Sequence, residues 1–259
     1  MVTKAKVVPI TSAKPKTSTA VAVKSAGGSN VVSIMEALKA QAASVSEKTA
    51  PASGNTIRIT QDKQFMLPDG TKTDTLQVVI VDFASKFTFY EGAFDPKNIT
   101  PPACFALGTN PLKMVPSKNA PLSQATDCQS CPNNQFGSDG NGKACKNSRI
   151  LAVLPPDADA DTPMWVLNVS PTALKGFDGF VASVSRMFQT PPIGVVTTIS
   201  FDESVTFAKL VFTDPQPNAN IAEHFARQAE ARDLLTAEPD VSQYKSPAKA
   251  PARKAVGRR

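Results

Sequence analysis

Four cysteines constrain this chain more than any other feature: Cys104, Cys128, Cys131 and Cys145. The middle pair reads Cys128-Gln-Ser-Cys131, a knuckle whose two thiolates can reach one ion. Cys145 closes a stretch dominated by Gly, Asn, Ser and Lys, and Cys104 follows Pro101-Pro102-Ala103. Small polar residues of this kind bury too little apolar surface to order a loop by packing. A metal supplies the missing folding energy, and four cysteines saturate a tetrahedral structural zinc site with no position left for catalysis. The competing reading is a pair of disulfides. The chain start carries lysines and prolines with no continuous apolar stretch before Val31, which does not read as a secretory signal. The expected compartment is therefore cytoplasmic, where thiols stay reduced and metal is favoured over disulfide.

Charge is unevenly spread along the 259 residues. The formal net charge is +6, yet residues 1–54 hold seven lysines against two acids, and residues 245–259 hold six basic residues and no acid. The two ends thus carry +11, leaving −5 to residues 55–244. Within that acidic body, residues 104–149 run the other way: Lys113, Lys118, Lys143, Lys146 and Arg149 against Asp127 and Asp139. A basic, cysteine-bearing lobe with basic arms suits contact with a polyanion. No run approaches the apolar length needed to span a bilayer, so a soluble chain with no membrane partner is expected.

Residues 1–54 are rich in Ala, Ser, Thr, Lys and Val and read as a disordered arm, with one short helix over residues 32–43. Residues 240–259 read as a basic, Pro/Ala-rich disordered tail. The domain between, residues 55–239, is strand-rich. Alternation marks residues 56–60, and Pro68-Asp69-Gly70 marks a turn. Residues 76–83 form the strongest strand, and residues 87–90 are expected to pair back onto it through Ala84-Ser85-Lys86. Residues 149–154 and 164–169 give two more strands, joined by an acidic turn containing Asp157, Asp159 and Asp161. Ser170-Pro171 opens a helix whose Leu174, Phe177, Val181, Val184 and Phe188 share a face. Strands at 194–201 and 208–212 and a helix at 221–235 complete the pattern. The fold class is mainly β with few helices. Five to seven antiparallel strands with one interposed helix fit an OB-like Greek-key barrel carrying a zinc-ribbon-like insertion at 104–149; a plain antiparallel sandwich is the rival.

Catalytic constellations are missing from the sequence. There is no Walker loop, dinucleotide glycine fingerprint or Gly-x-Ser-x-Gly elbow. The one histidine, His224, reads as an exposed or half-buried helix residue, and no His-x-Glu precedes the knuckle as a zinc deaminase would need. An enzyme is not expected. Aromatic residues concentrate before and within the cysteine segment. Tyr90 and Phe136, beside polar and glycine-rich neighbours, are the candidates for an exposed stacking surface for unpaired bases.

The OB-like strand order interrupted by a cysteine-bearing zinc element resembles single-stranded DNA-binding proteins of tailed phages, and the stretch Cys128-Gln-Ser-Cys131-Pro-Asn-Asn-Gln-Phe-Gly-Ser, continuing to Gly142-Lys143-Ala144-Cys145-Lys146, looks like that of phage replication-region proteins. The likeness covers residues 55–215. It implies a sequence-tolerant single-stranded DNA-binding protein of phage replication or recombination, acting in the host cytoplasm with replication proteins as partners. Structural zinc would sit on Cys104, Cys128, Cys131 and Cys145. Nucleic acid would meet Lys86, Tyr90, Phe136, Lys143, Lys146 and Arg149. The alternative from a different class is a scaffold protein that uses the zinc lobe for protein contacts.

Overall fold

A single strand of fourteen residues organises the molecule. The computed structural model describes residues 54–92 and 100–244. The two expected disordered ends fall outside these residues except for residues 54 and 240–244, and the expected helix at 32–43 falls outside them entirely. The described strands are β1 (Thr56–Ile59), β2 (Phe65–Met66), β3 (Lys72–Thr73), β4 (Leu76–Phe89), β5 (Cys104–Gly108), β6 (Lys146–Leu154), β7 (Trp165–Val169), β8 (Val195–Phe201) and β9 (Leu210–Pro217). The described helices are α1 (Leu174–Phe188), α2 (Ile221–Ala226) and α3 (Gln228–Thr236). None of these is long and apolar enough to cross a membrane.

The strands form one mixed sheet in the order β3-β2-β1-β7-β6-β4-β8-β9, with β5 added on β4. All contacts are antiparallel except β1 on β7, which is parallel. Four strands separate β2 from β8 in this order, yet the rings of Phe65 and Phe201 stack with centroids 4.5 Å apart. Lys63 reinforces the same seam by donating from Nζ to the carbonyls of Asp202 and Val205, at 3.1 and 2.6 Å. The sheet therefore curls round until its two ends meet, giving a half-barrel.

The concave side holds the main core. Leu76, Val78 and Ile80 of β4, Leu151 and Val153 of β6, Leu167 and Val169 of β7 and Ile199 of β8 close around Phe177, Phe180 and Val184 of α1. The helix face expected from the sequence is correct, with Phe180 added to it. Ser170 and Pro171 begin a 3-10 turn, and the α-helix proper starts at Leu174. On the convex side Val79, Val81, Ala84, Ile150, Ala152 and Leu154 are covered by Ala231 and Leu235 of α3.

Strand β4 departs from the expected hairpin. Residues 76–83 and 87–90 are not two paired strands; residues through Phe89 continue as one. Ala84-Ser85-Lys86 contains no Gly, Pro, Asn or Asp to turn the chain. Instead it pairs on both edges, with Ser85 opposite Gly108 of β5 and Arg149 of β6. A bulge at Val81 shifts the register between Ile80 and Asp82. Without that extra residue strict alternation would turn Asp82 and Lys86 to the concave face. With it, Phe83, Ser85 and Phe87 take those places.

Two further elements differ from expectation. The single helix expected at 221–235 is two, broken at Arg227. His224 is not an exposed or half-buried helix residue; it is 1% exposed. Its Nε2 lies 3.2 Å from the carbonyl of Pro155, which can only accept, so Nε2 carries the proton. Nδ1 then accepts from Asn218 Nδ2 at 3.0 Å, and that amide also donates to the carbonyl of Ile193. The ring thus ties α2 to the β6–β7 connection and to the turn before β8.

Replacing His224 by Ala orphans the Pro155 carbonyl and removes one partner of Asn218. The expected cost is about 2 kcal/mol, read from denaturant unfolding, with m unchanged.

Candidate functional site: a cysteine lobe and the groove beside it

The cysteine segment begins as part of the sheet rather than as a separate insertion. Cys104 starts β5 and lies opposite Phe89 of β4, while Cys145 immediately precedes β6. Cys128 and Cys131 come from the loop between, where Cys131 leads into a 3-10 turn at Pro132–Asn134. Asp127 folds the knuckle by accepting from the backbone N–H groups of Gln129 and Ser130, at 2.8 and 2.9 Å, and from the Ser130 hydroxyl. Those bonds, led by the hydroxyl, hold the Asp127 carboxyl below its usual range. The buried amide of Asn134 donates to the carbonyl of Cys128 at 2.6 Å, and Gln135 Nε2 donates to those of Gln129 and Cys131. The N–H of Cys145 reaches the Asn133 carbonyl at 2.7 Å. Side-chain amides replace secondary structure as partners of the loop backbone, which explains the Asn- and Gln-rich sequence. At the tip, Gly137 and Gly140 have φ of +91° and +56°, a region where a side chain is strained.

All four cysteines are buried and none is disulfide-bonded. They line one cavity of about 20 Å³, together with Phe89 and Asn134. That volume admits something the size of a water or a single ion. Burial, together with the other thiols, pushes the Cys128 thiol up to about 11 and that of Cys145 up to about 12; Cys104 moves the same way, chiefly through burial. The donor set suits a soft divalent cation, whose charge would offset that desolvation and mutual repulsion. Among the described residues, no three or more His, Cys, Asp or Glu side chains are grouped so that they could hold a metal ion. The thiols share a cavity rather than a closed coordination sphere.

Beside the lobe runs an open groove of about 340 Å³. Phe87 and Leu174 give it apolar walls, Gln135 and Lys143 come from the lobe, and Asn147 and Arg149 come from β6. Phe87 also packs against Cys128 and Cys145, so one ring joins the groove to the lobe. Arg149 is 8% exposed, and its guanidinium lies 3.6 Å from the carboxylate of Asp178 on α1.

The six residues proposed from sequence for nucleic acid separate into groups. Lys143 and Arg149 meet in the groove. Phe136 is 81% exposed, with the Lys143 ammonium 5.0 Å from its ring centroid, a cation–π pair on the lobe surface. Lys146 is exposed but engaged by Asp139 at 2.8 Å. Lys86 stands on the opposite face of β4 from Phe87, and burial pulls its ammonium below the usual lysine range. Tyr90 is 45% exposed at the end of β4, outside the groove. Sequence reasoning missed Gln135 and Asn147. The available signal was the polar run Asn147-Ser148-Arg149 at the start of an otherwise apolar strand.

No protein-family model, curated protein or solved structure matches this chain.

Asn134→Ala removes the donor to Cys128 and is expected to open the knuckle while leaving the half-barrel folded. Amide exchange should accelerate around residues 128–145, and Cys128 and Cys131 should be alkylated faster by a neutral thiol reagent. Global unfolding should shift by about 1–3 kcal/mol.

Proposed function

We propose that this chain binds single-stranded DNA with little regard to sequence, in phage replication or recombination, and that structural zinc on Cys104, Cys128, Cys131 and Cys145 holds its basic lobe. The observation that carries the reading is the groove: an apolar wall at Phe87, a buried cation at Arg149, and Lys143 and Phe136 on the lobe beside it. Unpaired nucleotides offer both the flat π-surfaces and the phosphates that such a lining meets. The strand order supports it. A long bent strand (β4) leads to β6 and β7, a helix follows, and the β8–β9 hairpin returns to β4. Such an order would suit an OB-like barrel, with the cysteine segment in its first connection and the groove at that connection. Of the six residues proposed from sequence, Lys143, Arg149 and Phe136 carry the contact, Lys146 adds field, and Lys86 and Tyr90 stand apart.

Zinc supplies no chemistry here. Its role is to fasten the knuckle to β5 and to the start of β6, so that the lobe keeps its place beside Phe87. The scaffold reading has its own support in Leu112, Val115 and Leu122, three exposed apolar residues on the segment between β5 and the knuckle. Protein contacts there would leave nucleic-acid affinity absent.

Protein stripped of metal should take up one zinc per chain and release protons as it does so. Burial raises the Cys128 and Cys145 thiols above their ordinary value, so these two are protonated at neutral pH and must lose those protons on binding. Zinc affinity should rise as pH rises toward that range. Metal uptake followed with a pH indicator in weak buffer reads both; a chain that takes up no zinc, or takes it up without acidification, ends the zinc reading.

Gel shifts with single-stranded DNA, duplex DNA and RNA at two salt concentrations test the function. Single-stranded DNA should bind more tightly than duplex. Lys143→Ala should weaken binding equally for all sequences and lower the salt slope by about one, whereas Phe136→Ala should weaken it with the slope unchanged. Equal affinity for duplex and single strands would hand the lead to the scaffold reading.

A further inference from the structure

The groove beside the cysteine lobe is lined by Lys143 and Arg149 and by no Asp or Glu, in a body whose residues 55–244 sum to −5. Strand phase sends Arg149 there. It alternates onto the same side of β6 as Leu151 and Val153, which belong to the core under α1. Arg149 is poorly compensated in this place. The residue is 8% exposed, its guanidinium carries five donors, and it makes no hydrogen bond with the described residues. Its one ion pair among them is with Asp178 of α1, at 3.6 Å, which is too long for a hydrogen bond. Asp178 stands one turn beyond Leu174, the helix residue that lines the groove, yet it lies outside the lining and 56% of its side chain remains exposed. A buried guanidinium is costly unless acceptors meet its donors, and a half-solvated carboxylate at this distance meets few of them. The fork is still reachable. Fully enclosed side-chain oxygens without partners occur at Ser85, Asn147 and Thr197, but no guanidinium nitrogen of Arg149 is sealed in this way.

We propose that Asp178 is an exchangeable counter-ion, which holds Arg149 in the free protein and yields it to a backbone phosphate of the bound strand. The inference rests on the single-strand reading above and adds the regulation of its anion site. A phosphodiester presents two non-bridging oxygens, which a guanidinium meets in parallel at about 2.7–2.9 Å. Asp178, at 3.6 Å, does not reach that geometry. Trading one anion for another leaves the charge around the buried fork unchanged, so Arg149 is never left alone in the groove. The displaced carboxylate returns to water, where more than half of its side chain already lies. Lys143, from the lobe side of the groove, supplies a second positive charge to the same backbone. The carboxylate also selects the ligand. A small anion has one contact with which to displace it, whereas a nucleic-acid strand brings further phosphates and bases that hold it in place while the exchange occurs.

The test uses the full chain and fluorescein-labelled oligo-dT, read by anisotropy over a series of salt concentrations. Asp178→Asn keeps the size of an exposed side chain and removes its charge. It should tighten binding on the order of fivefold at low salt and steepen the salt slope by up to about one, because phosphate no longer has a carboxylate to displace. Asp233→Asn is the charge-matched control. This exposed residue belongs to α3, which covers the convex side of the sheet, and its loss should move affinity by less than about twofold. In an Arg149→Gln background Asp178→Asn should bring no gain, since the exchange then has no fork to act through; the comparison with Asp233→Asn stands even where Arg149→Gln does not fold. Equal gains from Asp178→Asn and Asp233→Asn reduce the effect to net charge and overturn the exchange while the single-strand reading stands. A gain that survives Arg149→Gln overturns it as well. Weaker binding by Asp178→Asn makes the carboxylate a support for Arg149 rather than its competitor, and overturns the exchange too. Failure of both the unaltered chain and Asp178→Asn to bind any oligonucleotide overturns both readings at once.

Discussion

Both edges of β4 are hydrogen-bonded for most of its length, and the rest of the molecule hangs on that fact. Its first half pairs with β8, its second half with β5, and β6 runs along the other edge of both. The same strand therefore belongs to the half-barrel at one end and to the cysteine lobe at the other. An edge strand of this length and apolar content would be a template for aggregation. Flanked on both sides, its backbone is held by three neighbouring strands. The placement of Phe87 between the core and the cysteines follows directly from it.

Closure of the sheet is a separate matter, settled by side chains. Backbone pairing ends at β3 on one side and β9 on the other. The gap is bridged by the Phe65–Phe201 stack and by the Lys63 ammonium on two carbonyls. Aromatic contact and charge-assisted bonds hold the seam, and α1 fills the space they enclose. The groove lies against the first turn of that helix, at Leu174, so the position of α1 shapes the groove wall as well as the core.

Periodicity made the regular elements legible. The strand at 194–201 and the apolar face of α1 could be read from patterns of period two and 3.6, and those at 149–154 and 164–169 from nearly continuous apolar runs. Three things could not. The bulge at Val81 is one β-branched residue among several, with nothing in its type to single it out. β2 and β3 are two residues each, too short for any pattern. His224 looked like a surface residue because its partners, Pro155, Asn218 and through it Ile193, are brought close only by the fold. For the site, residue type was informative and geometry was not. The four cysteines could be grouped from spacing and composition, and they line one cavity. The basic residues could not be sorted, because facing the groove, pairing with Asp139 or lying on the far side of β4 depends on strand phase. Asn147 escaped notice for the same reason.

Val81 also bears on how this chain is to be compared with others. Hydrophobic alternation along β4 changes phase at that residue, with Leu76, Val78 and Ile80 inward before it and Phe83, Ser85 and Phe87 inward after it. A related sequence lacking the bulge would match one half of the strand in phase and the other half out of phase. An alignment that minimises gaps would then equate lining residues with outward ones across the whole cysteine lobe. A one-residue gap at this point is the structurally meaningful choice, however little it improves the score.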